Sequence, residues 1–211
     1  MKENMANSNK TKQKEPDAKI VLLGNNGVGK SAITVRYLTK RFIWEYDPSL
    51  ECIYRHQDAV DNDNVTLEIF DTAGQADEEA REGQAKWADG FMFIYSITDR
   101  QSFLDIPKLK SSIEEYKKTE NISCIVVGNK NDLEHERKVS VTEGEKMAAE
   151  MAAAFFETSA CDTYTEVTEA FNELYREVKR RFALTGKQRR RSSAQQVRQV
   201  LSKVLSSIKN A

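Results

Sequence analysis

Cysteine is scarce in this 211-residue sequence, and long apolar runs are missing from it. The three cysteines, Cys52, Cys124 and Cys161, form an odd and scattered set without Cys-x-x-Cys spacing, which favours reduced thiols in a cytosolic protein. No apolar run approaches the roughly 20 residues needed to span a bilayer, and nothing resembles a signal peptide. The net charge of −1 gives no indication of nucleic-acid binding. We therefore expect neither a disulfide framework nor a membrane span.

The hydrophobic content of 39% suffices for one compact domain with a sizeable core. Charge is unevenly distributed, because residues 185–211 contain seven Lys or Arg and no Asp or Glu, which leaves a net charge of −8 on the other 184 residues. Residues 1–17 are rich in Lys, Asn and Ser and lack periodicity, which predicts disorder. These shifts divide the chain into an N-terminal extension (1–17), a domain (18–184) and a basic tail (185–211).

The clearest motif is the run Gly24-Asn25-Asn26-Gly27-Val28-Gly29-Lys30-Ser31, which follows an apolar stretch and precedes an amphipathic one. In that setting the glycine-rich main chain can curl around phosphate groups, a lysine supplies positive charge, and a serine hydroxyl reaches Mg²⁺. The alternative is a glycine turn that only caps a helix. The pattern predicts a phosphate site formed by Asn26, Gly27, Val28, Gly29, Lys30, Ser31 and Ala32.

A second motif indicates which base accompanies these phosphates. Asn129-Lys130-Asn131-Asp132 follows the apolar run 122–128 and so lies at the carboxyl edge of a strand, where doubly wound sheets bind ligands. The Asp132 carboxylate can accept hydrogen bonds from the ring N–H and the exocyclic amine of guanine, a pair that adenine does not offer. Alone, the tetrad is weak, because Asn, Lys and Asp are ordinary turn residues. Its order and spacing after the first motif favour guanine.

Between these motifs, Asp71-Thr72-Ala73-Gly74-Gln75 follows a third apolar run. We predict that Asp71 holds Mg²⁺ through water, that the Gly74 N–H contacts the terminal phosphate, and that Gln75 orients the attacking water. A polar turn between a strand and a helix is the alternative. Gln75 and Lys30 are therefore the candidate catalytic residues.

Two further segments complete the candidate site. Ser49, in Tyr46-Asp47-Pro48-Ser49, supplies a hydroxyl able to close over the metal, so that the predicted metal residues are Ser31, Ser49 and Asp71. Ser159 and Ala160, in Glu157-Thr158-Ser159-Ala160, would brace the guanine with main-chain N–H groups.

Five motifs in this order resemble the Ras superfamily of small GTPases, and the resemblance extends from about Ala18 to Phe182. Within that superfamily, Thr39 to Pro48, Arg81-Glu82-Gly83 and Arg189-Arg190-Arg191-Ser192-Ser193 are similar to the subgroup of Ras-related and oestrogen-regulated growth inhibitors. The resemblance implies a GTP/GDP switch with Mg²⁺ as cofactor. It also implies a P-loop G domain.

The same resemblance assigns roles to individual residues. It implies that Phe42 packs edge-on against the guanine, that Asn129, Lys130 and Asp132 hold the base, and that the Ala160 N–H contacts it. It further implies effector proteins that contact residues 42–52 and 73–83, an exchange factor and a GTPase activator.

Four positions depart from the usual Ras pattern. Asn26 occupies a loop position where glycine accompanies efficient activator-assisted hydrolysis, and Ser49 replaces the more common threonine. Ala76 and Cys161 replace residues that are usually glutamate and lysine, and the second change removes an aliphatic stem beside the base. Two functions therefore stay open: a slow GTPase, and a guanine-nucleotide-dependent binding module with negligible hydrolysis.

Alternating strands and helices predict an α/β fold, with a six-stranded, mostly parallel sheet and helices on both faces. The predicted strands are 18–24, 51–58, 64–70, 90–97, 122–128 and 154–158, and the predicted helices are 29–39, 77–88, 101–118, 142–153 and 164–182. Asp61-Asn62-Asp63 predicts a hairpin turn, with strand 51–58 antiparallel at the sheet edge.

The basic tail has the pattern of an amphipathic helix, with apolar residues on one face and basic residues around the other: Val197, Val200, Leu201, Val204, Leu205 and Ile208 against Arg198, Lys203 and Lys209. Such a helix suits an anionic membrane surface, calmodulin or a groove on another protein. The alternative is a helix that packs on its own domain or remains solvated. Neither a prenylation nor a myristoylation motif is present, so we expect a cytoplasmic protein without a lipid anchor, for which nuclear entry stays open. Ser192 and Ser193, after three arginines, are candidate sites for a basophilic kinase.

Overall fold

A six-stranded sheet forms the centre of the computed structural model, which describes residues 15–41, 51–72, 78–162 and 164–186. Its strands are β1 (Ala18–Leu23), β2 (Cys52–Val60), β3 (Asp63–Asp71), β4 (Gly90–Ser96), β5 (Ser123–Asn129) and β6 (Ala154–Thr158). The order across the sheet is β2-β3-β1-β4-β5-β6. Only the β2–β3 pair is antiparallel among the described strand pairs, which confirms the predicted α/β architecture.

Six α-helices and one 3₁₀-helix accompany the described strands, and the last α-helix follows β6. They are α1 (Lys30–Thr39), α2 (Glu78–Trp87), α3 (Arg100–Leu104), α4 (Ile106–Lys117), α5 (Val141–Glu150) and α6 (Thr165–Thr185), with the 3₁₀-helix at Asn131–Glu136. No helix within these described ranges combines the length and apolar character that a bilayer span requires.

The central strands bury both of their faces. In β1, Ile20 and Leu22 belong to a core that includes residues of α1 and α6. The alternate residues Val21 and Leu23 belong to a second core, with residues of α2 to α5. Side chains alternate across a strand, so β1 needs apolar residues at successive positions, which explains its continuous apolar run.

The β2–β3 hairpin has the predicted position and direction. Its turn residues Asp61 and Asn62 have φ angles of 51° and 67°. A two-residue hairpin turn with both central residues left-handed matches the right-handed twist of the strands, and Asp and Asn tolerate that backbone better than most residues. Asp63, predicted as part of the turn, already belongs to β3.

The single helix predicted over 101–118 is wrong, because the chain breaks into α3 and α4 at Asp105. Pro107 lies in the first turn of α4. Proline has no backbone N–H, and its ring would collide with the carbonyl of Phe103 in a continuous helix. The first turn of a new helix tolerates proline, so α4 begins at Ile106 instead.

Helix α5 also differs from its predicted range of 142–153. It begins at Val141 because Ser140 and Glu143 form a reciprocal capping box, and Ala152 has a left-handed φ of 52° just after its end. The last helix reaches Thr185, where the left-handed Gly186 follows it. The 3₁₀-helix was not predicted.

Several predicted features lie outside the described residues: Phe42, Ser49, Gly74, Gln75, Ala76, the kinase candidates Ser192 and Ser193, and the tail helix. At the other end, Asp17 closes the segment predicted to be disordered. Its backbone N–H donates to the Thr66 carbonyl at 2.7 Å, and its carboxylate accepts from the Thr66 N–H at 2.8 Å.

Candidate nucleotide-binding site

The described parts of the predicted motifs meet at one edge of the sheet. Strands β1, β3, β5 and β6 run parallel, with β4 between β1 and β5, so the loops that follow them leave from the same edge. Leu22 of β1 pairs with Asp71 of β3, and Asn129 of β5 pairs with Thr158 of β6. This parallel pairing brings together segments that are distant in the sequence.

The loop between β1 and α1 depends on glycine at two close approaches. Gly24 has a φ of 154°, and a Cβ built there would lie 2.1 Å from the Ile94 carbonyl oxygen. Gly29 has a φ of 102°, and its Cβ would lie 2.2 Å from Nδ2 of Asn129. These contacts leave no room for a side chain, so the main chain lies directly against β4 and β5.

Lys30 begins α1 and is 5% exposed. Its Nζ donates to the carbonyl oxygens of Gly24 at 3.0 Å and Asn25 at 3.2 Å. Burial lowers the pKa of Lys30, and the carboxylates of Asp71 and Glu51 offset that effect only partly. A buried cation of this kind is stabilised by a bound anion such as phosphate.

Asp71, at the end of β3, is 3% exposed, and its pKa is shifted in the direction opposite to that of Lys30. Burial raises the pKa of its carboxyl group, against the opposing effects of a hydrogen bond with Ser31 and of the Lys30 charge. A nearby metal cation would reverse this shift, because it favours the ionised carboxylate.

The donor set of Asp71 and Ser31 fits Mg²⁺. Oδ1 of Asp71 is buried and has no hydrogen-bond partner among the described residues, although most buried polar atoms in proteins have one. The Ser31 hydroxyl interacts with the same carboxylate. Hydroxyl and carboxylate oxygens suit this hard cation, which usually keeps several water ligands.

Asn129 joins the predicted base-binding tetrad to the predicted phosphate loop. It is 2% exposed, and its Nδ2 donates to the Val28 carbonyl at 2.8 Å. Its Oδ1 accepts from the Thr158 hydroxyl at 3.2 Å. One side chain thus fixes three segments of the predicted site, from the first motif to the last.

The remaining base-binding candidates lie beside each other. Lys130 has a left-handed φ of 68° and lies immediately before the 3₁₀-helix that carries the exposed Asp132. The Asp132 charge contributes to raising the pKa of the Cys161 thiol, after burial, which places it near the segment after β6. In that segment, the buried Ser159 hydroxyl accepts from the N–H groups of Cys161 and Asp162 at 3.1 and 3.0 Å.

The other described candidates line the phosphate loop and its surroundings. Val28, Gly29 and Ala160 are buried, Ser31 and Ala32 are half-buried, and Asn26 and Gly27 are exposed. Gly27 has a φ of 77° with open space around its Cα.

Sequence reasoning missed two interactions that support the site. Arg137 forms a bidentate pair with Glu157 at 2.6 and 2.8 Å and connects the end of the 3₁₀-helix to β6. Asn25 donates from Nδ2 to Oδ2 of Asp105 at 2.9 Å, across 80 residues of sequence. No local sequence pattern predicts contacts between residues so far apart in the chain, although the opposite charges of Arg137 and Glu157 are compatible with pairing.

A nucleotide-type site at this edge of a mostly parallel sheet defines the class of protein. The Ras family model matches residues 19–180, and the chain belongs to that family. The predicted resemblance to the Ras superfamily is confirmed.

Individual relatives narrow the resemblance further. The chain is 53% identical to the Ras-related and estrogen-regulated growth inhibitor of Bos taurus over 92% of its own length and 98% of the relative's. The Homo sapiens protein of that name gives the same values. The GTP-binding protein Rit2 of Mus musculus is 43% identical over 77% of this chain and 75% of its own.

Proposed function

We propose that this protein is a GTP/GDP molecular switch that binds its nucleotide with Mg²⁺ and hydrolyses GTP slowly. One observation carries the proposal: the buried Lys30 of the phosphate loop and the buried Asp71 at the end of β3 lie at the same edge of the sheet, and Oδ1 of Asp71 has no hydrogen-bond partner among the described residues. A bound nucleotide with Mg²⁺ would supply negative phosphate charge beside Lys30 and a positive metal charge beside Asp71. Membership of the Ras family supports the same conclusion.

Ser31 and Asp71 would hold the Mg²⁺ ion, together with Ser49 by analogy with Ras proteins. When bound, the ion neutralises charge on the phosphate oxygens. Lys30 contributes a fixed positive charge near the outer phosphates, and the loop amides contribute N–H donors. Because Lys30, Ser31 and Asp71 are already held by contacts within the described chain, little reorganisation of these three residues is needed for binding.

Guanine selectivity is assigned to Asp132, with support from Lys130 and the Ala160 N–H. An exposed carboxylate can turn toward the base edge without a large desolvation cost. Against adenine the same carboxylate would face an acceptor nitrogen instead of an N–H, and leaving it unpaired once the bound base covers it would cost a few kcal/mol.

The hydrolysis step is assigned to Gln75, which would orient the attacking water. For Ras itself, the unassisted rate is on the order of 10⁻⁴ to 10⁻³ per second. Asn26, exposed on the phosphate loop, replaces the glycine that accompanies efficient assisted turnover. We therefore propose hydrolysis in or below the Ras range with weak stimulation by activators. A binding module with negligible hydrolysis is the second candidate, and Asn26 is the observation in its favour.

The proposed output is a change of shape in residues 42–52 and 73–83, which would contact effectors in the GTP state. An exchange factor and an activator would set the balance between the two states. The names of the cattle and human relatives refer to growth inhibition, and we propose a growth-regulatory signalling role in the cytoplasm for this chain.

Extraction of the purified protein followed by chromatography tests nucleotide binding. We expect about one guanine nucleotide per chain, lost on removal of Mg²⁺. Single-turnover GTP hydrolysis then separates the two candidates. We expect a slow rate for the natural protein, a lower rate for Gln75→Ala, and stronger activator stimulation for Asn26→Gly. GTP that stays intact over many hours, with Gln75→Ala indistinguishable from the natural protein, would favour the binding module.

A further inference from the structure

The phosphate loop has an anchor outside the predicted motifs. Nδ2 of Asn25, the second residue of the loop, donates to Oδ2 of Asp105 at 2.9 Å. Asp105 lies between α3 and α4, where the predicted continuous helix is broken. The helix break therefore places a carboxylate against the loop that is assigned to the phosphates.

Asp105 is held on both sides of the break. Its backbone N–H donates to the carbonyls of Gln101 and Phe103, and its own carbonyl accepts from the Leu109 N–H at 3.1 Å. The residue thus ends one helix and begins the next. A carboxylate fixed at its backbone in this way loses little conformational entropy when it also binds a side chain.

The two carboxylate oxygens of Asp105 have separate partners. Oδ2 accepts from Asn25, whereas Oδ1 accepts from Nε2 of Gln101 at 2.9 Å and from Nζ of Lys108 at 3.3 Å. These hydrogen bonds lower the pKa of Asp105, with the bond from Asn25 as the largest cause, so the group is ionised at neutral pH. A hydrogen bond to an ionised acceptor is stronger than one between neutral groups.

Asn25 transmits this contact to the phosphate-binding lysine. Its backbone carbonyl accepts from Nζ of Lys30 at 3.2 Å, so only one residue separates the Asp105 carboxylate from the Lys30 ammonium group. Gly24, on the other side of Asn25, lies against Ile94. The side chain of Asn25 therefore connects Asp105 to the part of the loop where Gly24 contacts Ile94 and the Asn25 carbonyl contacts Lys30.

We propose that Asp105 is a positioning residue that acts through Asn25 to hold the phosphate loop in its nucleotide-binding conformation. This inference rests on the proposed function. It predicts that the pair slows the release of bound nucleotide, because a loop held in place loses less freedom on binding. GDP and GTP should be affected alike, since both nucleotides carry the phosphates that this loop would contact.

Four variants test the pair: Asn25→Ala, Asp105→Ala, their combination, and Asp105→Asn. We expect each alanine variant to release fluorescently labelled GDP about three- to tenfold faster, because only part of a charge-assisted hydrogen bond is expressed in binding. The double variant should release GDP at about the rate of the faster single variant. Asp105→Asn keeps an acceptor oxygen for Asn25 but loses the charge, so its release rate should lie between those of the natural protein and of Asp105→Ala.

Gln101→Ala is the matched control, because it removes a partner of the other Asp105 oxygen without touching the loop. Its release rate should stay within about twofold of the natural protein. Release of GDP at the natural rate by both alanine variants, even with lower melting temperatures, would overturn the proposal and leave the pair a purely structural role. Faster release by Gln101→Ala as well, or multiplied effects in the double variant, would overturn it too. A natural protein that retains no guanine nucleotide would instead contradict the proposed function.

Discussion

Replacement of Asn129 by alanine should both destabilise the protein and loosen its nucleotide. The Asn129 side chain makes two buried hydrogen bonds, one with the Val28 carbonyl in the phosphate loop and one with the Thr158 hydroxyl in β6. Alanine would leave both partners buried and without that contact. The change therefore tests whether one side chain holds three segments of the site together.

The size of the effect follows from the burial of these groups. Asn129, Val28 and Thr158 are all 2% exposed or less, so water cannot easily replace the missing partner. Leaving one buried polar group unsatisfied costs about 1–3 kcal/mol. For two such groups, we expect a loss of about 2–5 kcal/mol in the free energy of unfolding. Release of GDP should accelerate by at least about tenfold, since the Val28 carbonyl lies within the phosphate loop.

Thr158→Val distinguishes the two hydrogen bonds of the Asn129 side chain. Valine has nearly the same volume as threonine, and the change removes only the hydrogen bond between Asn129 and β6. We therefore expect a loss of about 1–2 kcal/mol in the free energy of unfolding and nearly natural release of GDP. Urea unfolding at one fixed concentration of GDP and Mg²⁺ measures stability, since bound ligand itself stabilises the folded state. Equal acceleration of release by Thr158→Val and Asn129→Ala would refute this account of the asparagine.

Three further changes test other parts of the structure. Gly24→Ala places a methyl group 2.1 Å from the Ile94 carbonyl oxygen. The free energy of unfolding in urea should therefore fall by about 2–4 kcal/mol, and nucleotide binding should be lost. Near-natural stability would show instead that the loop can move away from β4. Asp71→Asn removes a buried carboxylate whose pKa is raised by burial, so we expect a higher melting temperature in the absence of nucleotide. We also expect that EDTA no longer accelerates GDP release from this variant. A lower melting temperature without nucleotide would contradict the stability prediction. Hydrogen bonds from the Ser140 N–H and from Arg100 lower the pKa of Glu143 to about 2, so its stabilising contribution is complete above the unfolded pKa of about 4.3 and disappears as the pH falls toward 2. The melting temperatures of Glu143→Gln and the natural protein should therefore differ at pH 7 and converge near pH 2. A difference that stays constant with pH would contradict that assignment.

Much of the sheet and the central motifs could be predicted because their signals are local. An apolar run followed by glycine, lysine and serine specifies a strand, a loop and a helix start together, and the position of Asp71 relative to β1 follows from parallel pairing. The Asp61-Asn62 turn was predictable for a similar reason, since both residues tolerate a left-handed backbone.

The break at Asp105 and its contact with Asn25 could not be predicted in the same way. Pro107 signals that a helix starts nearby, but the apolar periodicity of residues 101–118 continues through the break and favours one helix. The partner of Asp105 is 80 residues away, and only the packed structure brings the two side chains together. The order of Arg137 and Glu157 in the chain likewise says nothing about their contact across the site.

Competition between guanine and adenine nucleotides tests the central claim most directly. In a displacement assay with labelled GDP and Mg²⁺, unlabelled GDP should compete at least about a hundredfold more effectively than ADP. Asp132→Ala should remove most of that preference with little change in melting temperature, because Asp132 is exposed. Equal competition by ADP and GDP in the natural protein, or an unchanged preference in Asp132→Ala, would contradict the account.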